Sequence, residues 1–308
     1  MQPKILAHNS RSTALVGYTG CVGSNLALAH DFSALYNSRN IELAFGTAPD
    51  LLVYAGLSGD KTVANKNPAE DLSSVEQAFV NIQRIAPRKL VLISSFDVYA
   101  HNNGADEDSC PETSKLSAYG LHRYHLEQLV SGSGLDCTIV RLPIAYGANL
   151  KRNFIYDIIN VIPPKLPVEL FRKFTAKIPR LAAYYTCLHN GFYGLQNTTP
   201  ELRDIFKELA FSAVNFTDSR AVLQFYALAR LWRDIERTLA AGYPLVNLAT
   251  EPVSAAEVYF RARGLPFHNE LLEPPPHSDI RSKYAPDGYW YDRTTVLNDL
   301  VSFIQGRP

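Results

Sequence analysis

Short apolar runs alternate with amphipathic stretches through the first half of the chain. Residues 14–16, 32–36, 50–55, 89–94 and 136–142 are apolar or β-branched runs bounded by glycine, asparagine or charged residues, and each predicts a strand. Residues 24–30, 68–85 and 118–130 carry apolar side chains at helical spacing. Continuous apolar strands separated by helices predict an α/β fold, a doubly wound parallel sheet covered on both faces. After Gly147 the texture changes. Residues 153–161 read as a helix, prolines at 163, 164 and 167 interrupt the chain, and 202–213 and 221–239 read as long amphipathic helices. A late apolar run at 245–248 is a strand that can return to the main sheet, the prolines after Glu273 mark a loop, and 294–305 is a terminal helix. The expected division is a main domain over 1–150 and a smaller, mostly helical lobe over 151–308.

Composition narrows the function by exclusion. With 308 residues and a formal net charge of zero, the chain offers no electrostatic case for nucleic acid or an anionic membrane. No apolar run approaches the ~20 residues of a membrane span. Residues 1–13 lack the apolar core of a signal peptide, so the expected compartment is the cytoplasm. Cys21, Cys110, Cys137 and Cys187 are scattered and the histidines form no ligand pattern, so no metal is expected.

Gly17-Tyr18-Thr19-Gly20-Cys21-Val22-Gly23 lies between the first strand and the first helix. Gly17 allows a tight turn, Gly20 lets the backbone approach a pyrophosphate, and Gly23 lets helix and strand press together. The phosphates then meet unpaired N–H groups at the helix start. A nicotinamide dinucleotide is the expected ligand. An acidic residue after the second strand would hold the ribose hydroxyls of NAD. This chain has Asn37-Ser38-Arg39 there, which suits a 2′-phosphate better. NADP is therefore favoured over NAD, although Arg39 also reads as a solvated loop charge.

Downstream, Ser94-Ser95-Phe96-Asp97-Val98-Tyr99 follows the fourth strand, and Tyr119-Gly120-Leu121-His122-Arg123 puts a phenol and a cation on one helix face. Ser95 can orient a substrate oxygen and Tyr119 can give or take its proton. The cation that favours tyrosinate is Arg123, which can donate to ribose hydroxyls but cannot release a proton as lysine does.

These pieces resemble the extended short-chain dehydrogenase/reductase family, the NAD-dependent epimerase/dehydratase group. The likeness rests on Val16 through Leu26, on Ser94 through Tyr99, on Ser117-Ala118-Tyr119-Gly120 with Glu127, on Val140-Arg141-Leu142-Pro143-Ile144-Ala145-Tyr146-Gly147 and on Val246 through Ser254. It implies a Rossmann domain with a substrate lobe, often for nucleotide sugars. It implies Ser95, Tyr119 and Arg123 as catalytic positions, with arginine in the lysine's place. Gly17, Thr19, Gly20, Cys21, Val22, Gly23, Asn37, Ser38, Arg39, Ala55, Gly56, Tyr119, Arg123 and Pro143 become the cofactor positions. Many relatives form homodimers through two helices, here 68–85 and the Tyr119 helix.

Two departures matter. About ten residues separate Arg39 from Asp50, where relatives fit another helix and strand, so the adenine pocket should be shorter and more open. Sugar dehydratases carry Thr-Asp-Glu where this chain has Ser95, Phe96 and Asp97, and phenylalanine cannot act as the acid that expels water. Ser95, Phe96 and Asp97 are candidate substrate contacts, as are Lys151, Arg152 and Asn153, which suit a diphosphate or a solvated helix start equally. Gln224-Phe225-Tyr226 and Arg230-Leu231-Trp232 share one helical pattern and read as core. The leading expectation is an NAD(P)-dependent oxidoreductase or epimerase acting on a nucleotide sugar or similar polar substrate. A dinucleotide-binding sensor or structural protein, and a reductase of a non-sugar metabolite, are the alternatives.

Overall fold

The computed structural model describes residues 12–101, 103–271 and 274–306. Most of residues 1–13, and Glu273 of the expected proline loop, lie outside the described residues.

The chain divides into two compact units. The first comprises the described residues up to Leu150 together with Gln224–Pro252 and Ser278–Val296. Its order begins β1 (Thr13–Val16), α1 (Cys21–Ala29), β2 (Ala34–Tyr36), β3 (Leu51–Tyr54), α2 (Lys61–Lys66), α3 (Pro68–Ile85) and β4 (Leu90–Ser95). It continues with α4 (Ala118–Ser131) and β5 (Cys137–Leu142), and later adds α5 (Leu231–Ala241) and β6 (Leu245–Asn247). The six strands form one sheet in the order β6-β5-β4-β3-β1-β2, all parallel. This is the Rossmann-type doubly wound sheet, and the late strand β6 is one of its edges.

Strand alternation divides the core into two layers. Ala14, Val16, Leu52, Tyr54, Leu90 and Leu92 meet Val75, Ala78, Ile82 and Leu126 of α3 and α4. Leu15, Val53, Val91, Val140 and Val246 point the other way, onto Leu26 of α1 and Leu231 and Ile235 of α5. The other edge is β2. Between Tyr36 and β3 the chain makes only a short 3₁₀ turn, Ile41–Ala44, so no strand covers that side.

A buried polar chain fastens α4 to the sheet. Arg141 of β5 donates through Nε to Glu127 of α4 at 3.0 Å and through a terminal nitrogen at 2.5 Å. Ser94 Oγ donates to Glu127 at 2.5 Å. Arg141 also donates to the Tyr99 hydroxyl at 2.6 Å, and that hydroxyl donates to the Asp106 carbonyl oxygen at 2.7 Å. Burial pushes the Tyr99 phenol above its ordinary range, against the pull of the Arg141 charge, so it stays a neutral donor.

The second unit comprises Lys151–Leu223, Val253–His277 and the chain from Leu297. The division is therefore not a single cut at residue 150. This unit holds the helices Phe154–Ile159, Val168–Lys177, Pro200–Glu208 and Ala255–Arg263. It also holds a three-stranded antiparallel sheet of Lys165–Pro167, Phe192–Leu195 and Tyr185–Cys187, which the helical expectation for this lobe did not include. Its core is aromatic, with Phe171 stacked on Tyr193 at 3.7 Å between centroids.

The expected helix over 221–239 is a correction. Phe225–Ala227 is a strand, parallel to Ile144–Tyr146, and the helix begins only at Leu231. Consecutive Phe225 and Tyr226 are both buried, which a strand packed on its two faces permits and a half-exposed helix does not. Gln224 is held by the Thr250 and Ile280 carbonyls, each at 2.7 Å. The terminal helix runs Arg293–Gln305.

Two stability predictions follow from buried charge. Glu127→Ala leaves Arg141 buried without its counter-ion and should cost about 3–5 kcal/mol in urea unfolding, with Glu127→Gln losing less. Burial alone pushes the Asp157 carboxyl up to about 7. Between its ordinary value near ~4 and that value the native state binds more protons than the unfolded chain, so stability falls as pH rises across this window. Asp157→Asn should flatten that slope and melt a few °C above wild type at pH 8 by calorimetry.

Candidate active site

The glycine turn stands at the C-terminal edge of the sheet. Gly17 has φ +95, and a Cβ there would meet the Ala55 carbonyl oxygen at 2.3 Å. A Cβ on Gly23 would stand 2.1 Å from the Gly17 carbonyl oxygen. Both glycines are required by the fold itself, because backbone crosses backbone there. Gly20 is different. Its φ of −80 is open to any residue, and a Cβ would meet only the Gly17 carbonyl oxygen, at 3.3 Å. Gly20 is also the N-cap of α1 and brings no side chain to the helix start, the end of a helix that favours an anion. The turn is braced from behind. Asn149 Nδ2 donates to the Thr19 carbonyl oxygen at 3.0 Å, and Asn25 of α1 exchanges hydrogen bonds with the Ala148 backbone at 2.9 Å.

A cleft of about 720 Å³ opens at this turn. Gly17, Thr19, Gly20, Asn37, Ser38, Ala55 and Gly56, all expected cofactor positions, line it. Cys21, Val22, Gly23, Arg39, Tyr119, Arg123 and Pro143 do not. Arg39 is exposed on the turn after β2, next to Ser38. The opposite wall comes from α2 and α3, which the glycine pattern did not announce. It includes Asp60, Glu70 and Asp71, and among the described residues no lysine or arginine lines the cleft.

The second cluster lies where α4 meets the turn after β4. Gly120 packs on that turn so closely that a Cβ would stand 2.0 Å from the Asp97 carbonyl oxygen. Ser117 caps α4 by accepting from the Gly120 N–H, and Asn65 of α2 accepts from the Tyr119 N–H at 2.9 Å. Ser95 Oγ donates to Asp97 at 2.6 Å and accepts from the Asp97 N–H at 3.2 Å. Lys61 Nζ donates to the same carboxylate at 2.6 Å and lies 5.9 Å from the centre of the Tyr119 ring.

Arg123 is buried, and its fork is committed. One terminal nitrogen donates to Asp71 at 3.1 Å and to the Ser58 carbonyl oxygen at 2.8 Å. His122 shares the Asp71 carboxylate at 2.8 Å. The guanidinium carbon sits 4.4 Å from the centre of the Tyr119 ring, in cation–π contact with its face. Ser95, Asp97, Tyr119 and Arg123 are thus gathered at one place. Phe96 is buried with Val98, Tyr99, Ala249 and Ile280. Lys151 and Arg152 are exposed in the second unit, and Asn153 there caps the helix Phe154–Ile159 through Oδ1.

Lys61, Asn65 and Asp71 escaped the reading of the sequence. Asp60 accepting from the Val63 N–H is an N-cap signal for α2 that spacing could have shown, but the pairing of Asp71 with Arg123 spans 52 residues and has no local signature. Among the described residues, no group of three or more His, Cys, Asp or Glu is placed to hold a metal, and no helix is long and apolar enough to cross a membrane.

The model of the NAD dependent epimerase/dehydratase family matches residues 22–182, more than half of the chain. The chain belongs to that family. It is an NAD(P)-dependent enzyme of the extended short-chain dehydrogenase/reductase type. No curated protein matches it in sequence. Its fold is similar to that of dTDP-4-dehydrorhamnose reductase from Bacillus anthracis str. Ames in complex with NADP, at 16% identity and TM-score 0.64, covering 97% of this chain and 100% of that one. It is similar to the Bordetella bronchiseptica enzyme WbmG in complex with NAD and UDP, at 14% identity and TM-score 0.62, covering 98% and 96%. It is also similar to UDP-glucose 4-epimerase from Thermotoga maritima with UDP-glucose, at 13% identity and TM-score 0.58, covering 95% and 97%. A nicotinamide dinucleotide fits the epimerase/dehydratase turn seen here, since the uncapped start of α1 and the bare Gly20 form a cradle that a side chain would fill.

Gly23 and Gly20 should therefore respond differently. Gly23→Ala forces helix from strand and should lose about 1–3 kcal/mol in denaturant unfolding. Gly20→Val, a poorer N-cap, should lose no more than about 1 kcal/mol and remain folded, yet lose NAD(P)H binding in a fluorescence titration.

Proposed function

We propose that this protein is an NAD(P)-dependent oxidoreductase or epimerase acting on a nucleotide sugar, with Tyr119 moving the proton of the reacting hydroxyl. The observation that carries this reading is Gly20. The fold presses on Gly20 far less than on Gly17 or Gly23, whereas a pyrophosphate on the start of α1 requires the position to be bare. A bound dinucleotide supplies the hydride donor or acceptor. The backbone of residues 17–23 would hold its phosphates, and Ala55 and Gly56 would leave room beside them.

At the tyrosine, Arg123 over the ring and Lys61 nearby place two cations beside the phenol that would exchange the proton. Arg123 acts as fixed charge, because its fork is already held by Asp71 and Ser58. Ser95 must exchange its bond to Asp97 for one to the substrate oxygen. Phe96 offers no carboxyl, which favours reduction or epimerisation over dehydration. Asp97 can accept from substrate hydroxyls, and the basic start of the second unit, Lys151 and Arg152 with Asn153, would take the diphosphate. Two copies would pair through α3 and α4, in the cytoplasm.

NADP is favoured over NAD, on the exposed Arg39 beside Ser38. Arg39→Ala should weaken NADPH binding about tenfold and leave NADH binding unchanged. Tyr119→Phe should keep cofactor affinity and lose at least about 10²-fold in turnover of a nucleotide sugar drawn from a UDP- and dTDP-sugar panel. Undiminished turnover in that variant would remove Tyr119 from the mechanism, and absence of binding by either cofactor would overturn the oxidoreductase reading.

A further inference from the structure

The wall of the cleft formed by α3 is polar at helical spacing. Asn67, Glu70, Ser74, Gln77 and Asn81 recur every three or four residues and all line it. A helix face of this kind normally faces water. Here it faces the space left open because no strand follows β2, and the short turn Ile41–Ala44 is all that stands across from it.

The far end of this stripe is organised. Tyr54 of β3 is 4% exposed and lines the cleft with Asn81, whose amide counters the upward push of burial on the Tyr54 phenol. Gln77 Nε2 donates to Asn81 Oδ1 at 3.0 Å, so Asn81 orients Gln77. One N–H and the oxygen of the Gln77 amide have no partner among the described residues. Gln77 therefore presents a donor and an acceptor, side by side and in fixed order, to the cleft. Ile41 and Ala78 line the cleft beside it with apolar surface.

We infer that Gln77, held by Asn81, reads the edge of the cofactor's adenine. Adenine offers an amine donor at N6 beside an acceptor ring nitrogen, and a carboxamide matches that pair with two hydrogen bonds. Ile41 and Ala78 supply the apolar contact for the ring. The side-chain amide of α3 thus replaces the recognition that the missing strand and helix would have contributed from the other side. This inference rests on the dinucleotide reading of the glycine turn.

The test is a fluorescence titration of the full-length protein with NADH and NADPH and with the hypoxanthine counterpart of each. Hypoxanthine carries an oxygen in place of the N6 amine and a proton on N1, so the order of donor and acceptor is reversed. The wild type should bind the adenine form about tenfold more tightly than the hypoxanthine form. Gln77→Leu, at an exposed position, should bring the two within about twofold by weakening the adenine form alone. Asn81→Ala should reduce the discrimination while leaving Gln77 in place. Equal binding of the two bases by wild type, or discrimination retained in Gln77→Leu, would overturn the assignment and leave the dinucleotide site standing. If none of the four dinucleotides binds, the dinucleotide reading fails, and this inference with it.

Discussion

The approach of α4 to the turn after β4 governs the rest of the site. At Gly120 backbone lies on backbone, and even a methyl group would stand 2.0 Å from the Asp97 carbonyl oxygen. That contact brings Tyr119 next to the Ser95–Asp97 turn, and Arg123, one helical turn on, comes to rest over the Tyr119 ring. It is fastened from the far end of the helix by Glu127, whose carboxylate takes Arg141 and Ser94 from two adjacent strands. A buried ion pair of this kind contributes little net stability by itself, but removing either partner is costly, so it holds α4 in one register.

The charge pattern around the tyrosine differs from what a simple replacement of lysine by arginine would give. A lone arginine would point its fork at a ligand. Here Asp71 meets it first, His122 joins the same carboxylate, and the cluster is nearly closed to solvent. Paired in this way, Arg123 keeps its position over the ring while the cleft itself presents Asp60, Glu70 and Asp71. The second cation is Lys61, which is half exposed and ion-paired with Asp97. A buried cation and an exposed one thus flank the same phenol.

The missing strand beyond β2 has the opposite effect at the other end of the cleft. It leaves an open edge, which would ordinarily expose apolar α3 surface to water. The chain instead places amides, hydroxyls and a carboxylate along that face of α3, while Val75, Ala78, Ile82 and Ile85 keep its other face in the core. Openness and polarity therefore go together at this edge of the sheet.

Strand and helix periodicity, read along the chain, was enough to predict an α/β fold with a parallel sheet and the place of the glycine turn, because alternating apolar runs and amphipathic helices are local patterns. Gly17 and Gly23 were legible for the same reason, as each closes a local turn. Tertiary structure decided the rest. Residues 221–239 follow a helical pattern, yet burial of Phe225 and Tyr226 against Ile144–Tyr146 makes the first part a strand, since packing outweighs local preference. The partner of Arg123 lies 52 residues away on α3, Lys61 reaches Asp97 across 36, and the polar stripe of α3 that carries Gln77 and Asn81 meets Tyr54 of β3 in one cleft. No spacing in the sequence encodes such meetings; they exist only once the sheet has set the helices side by side.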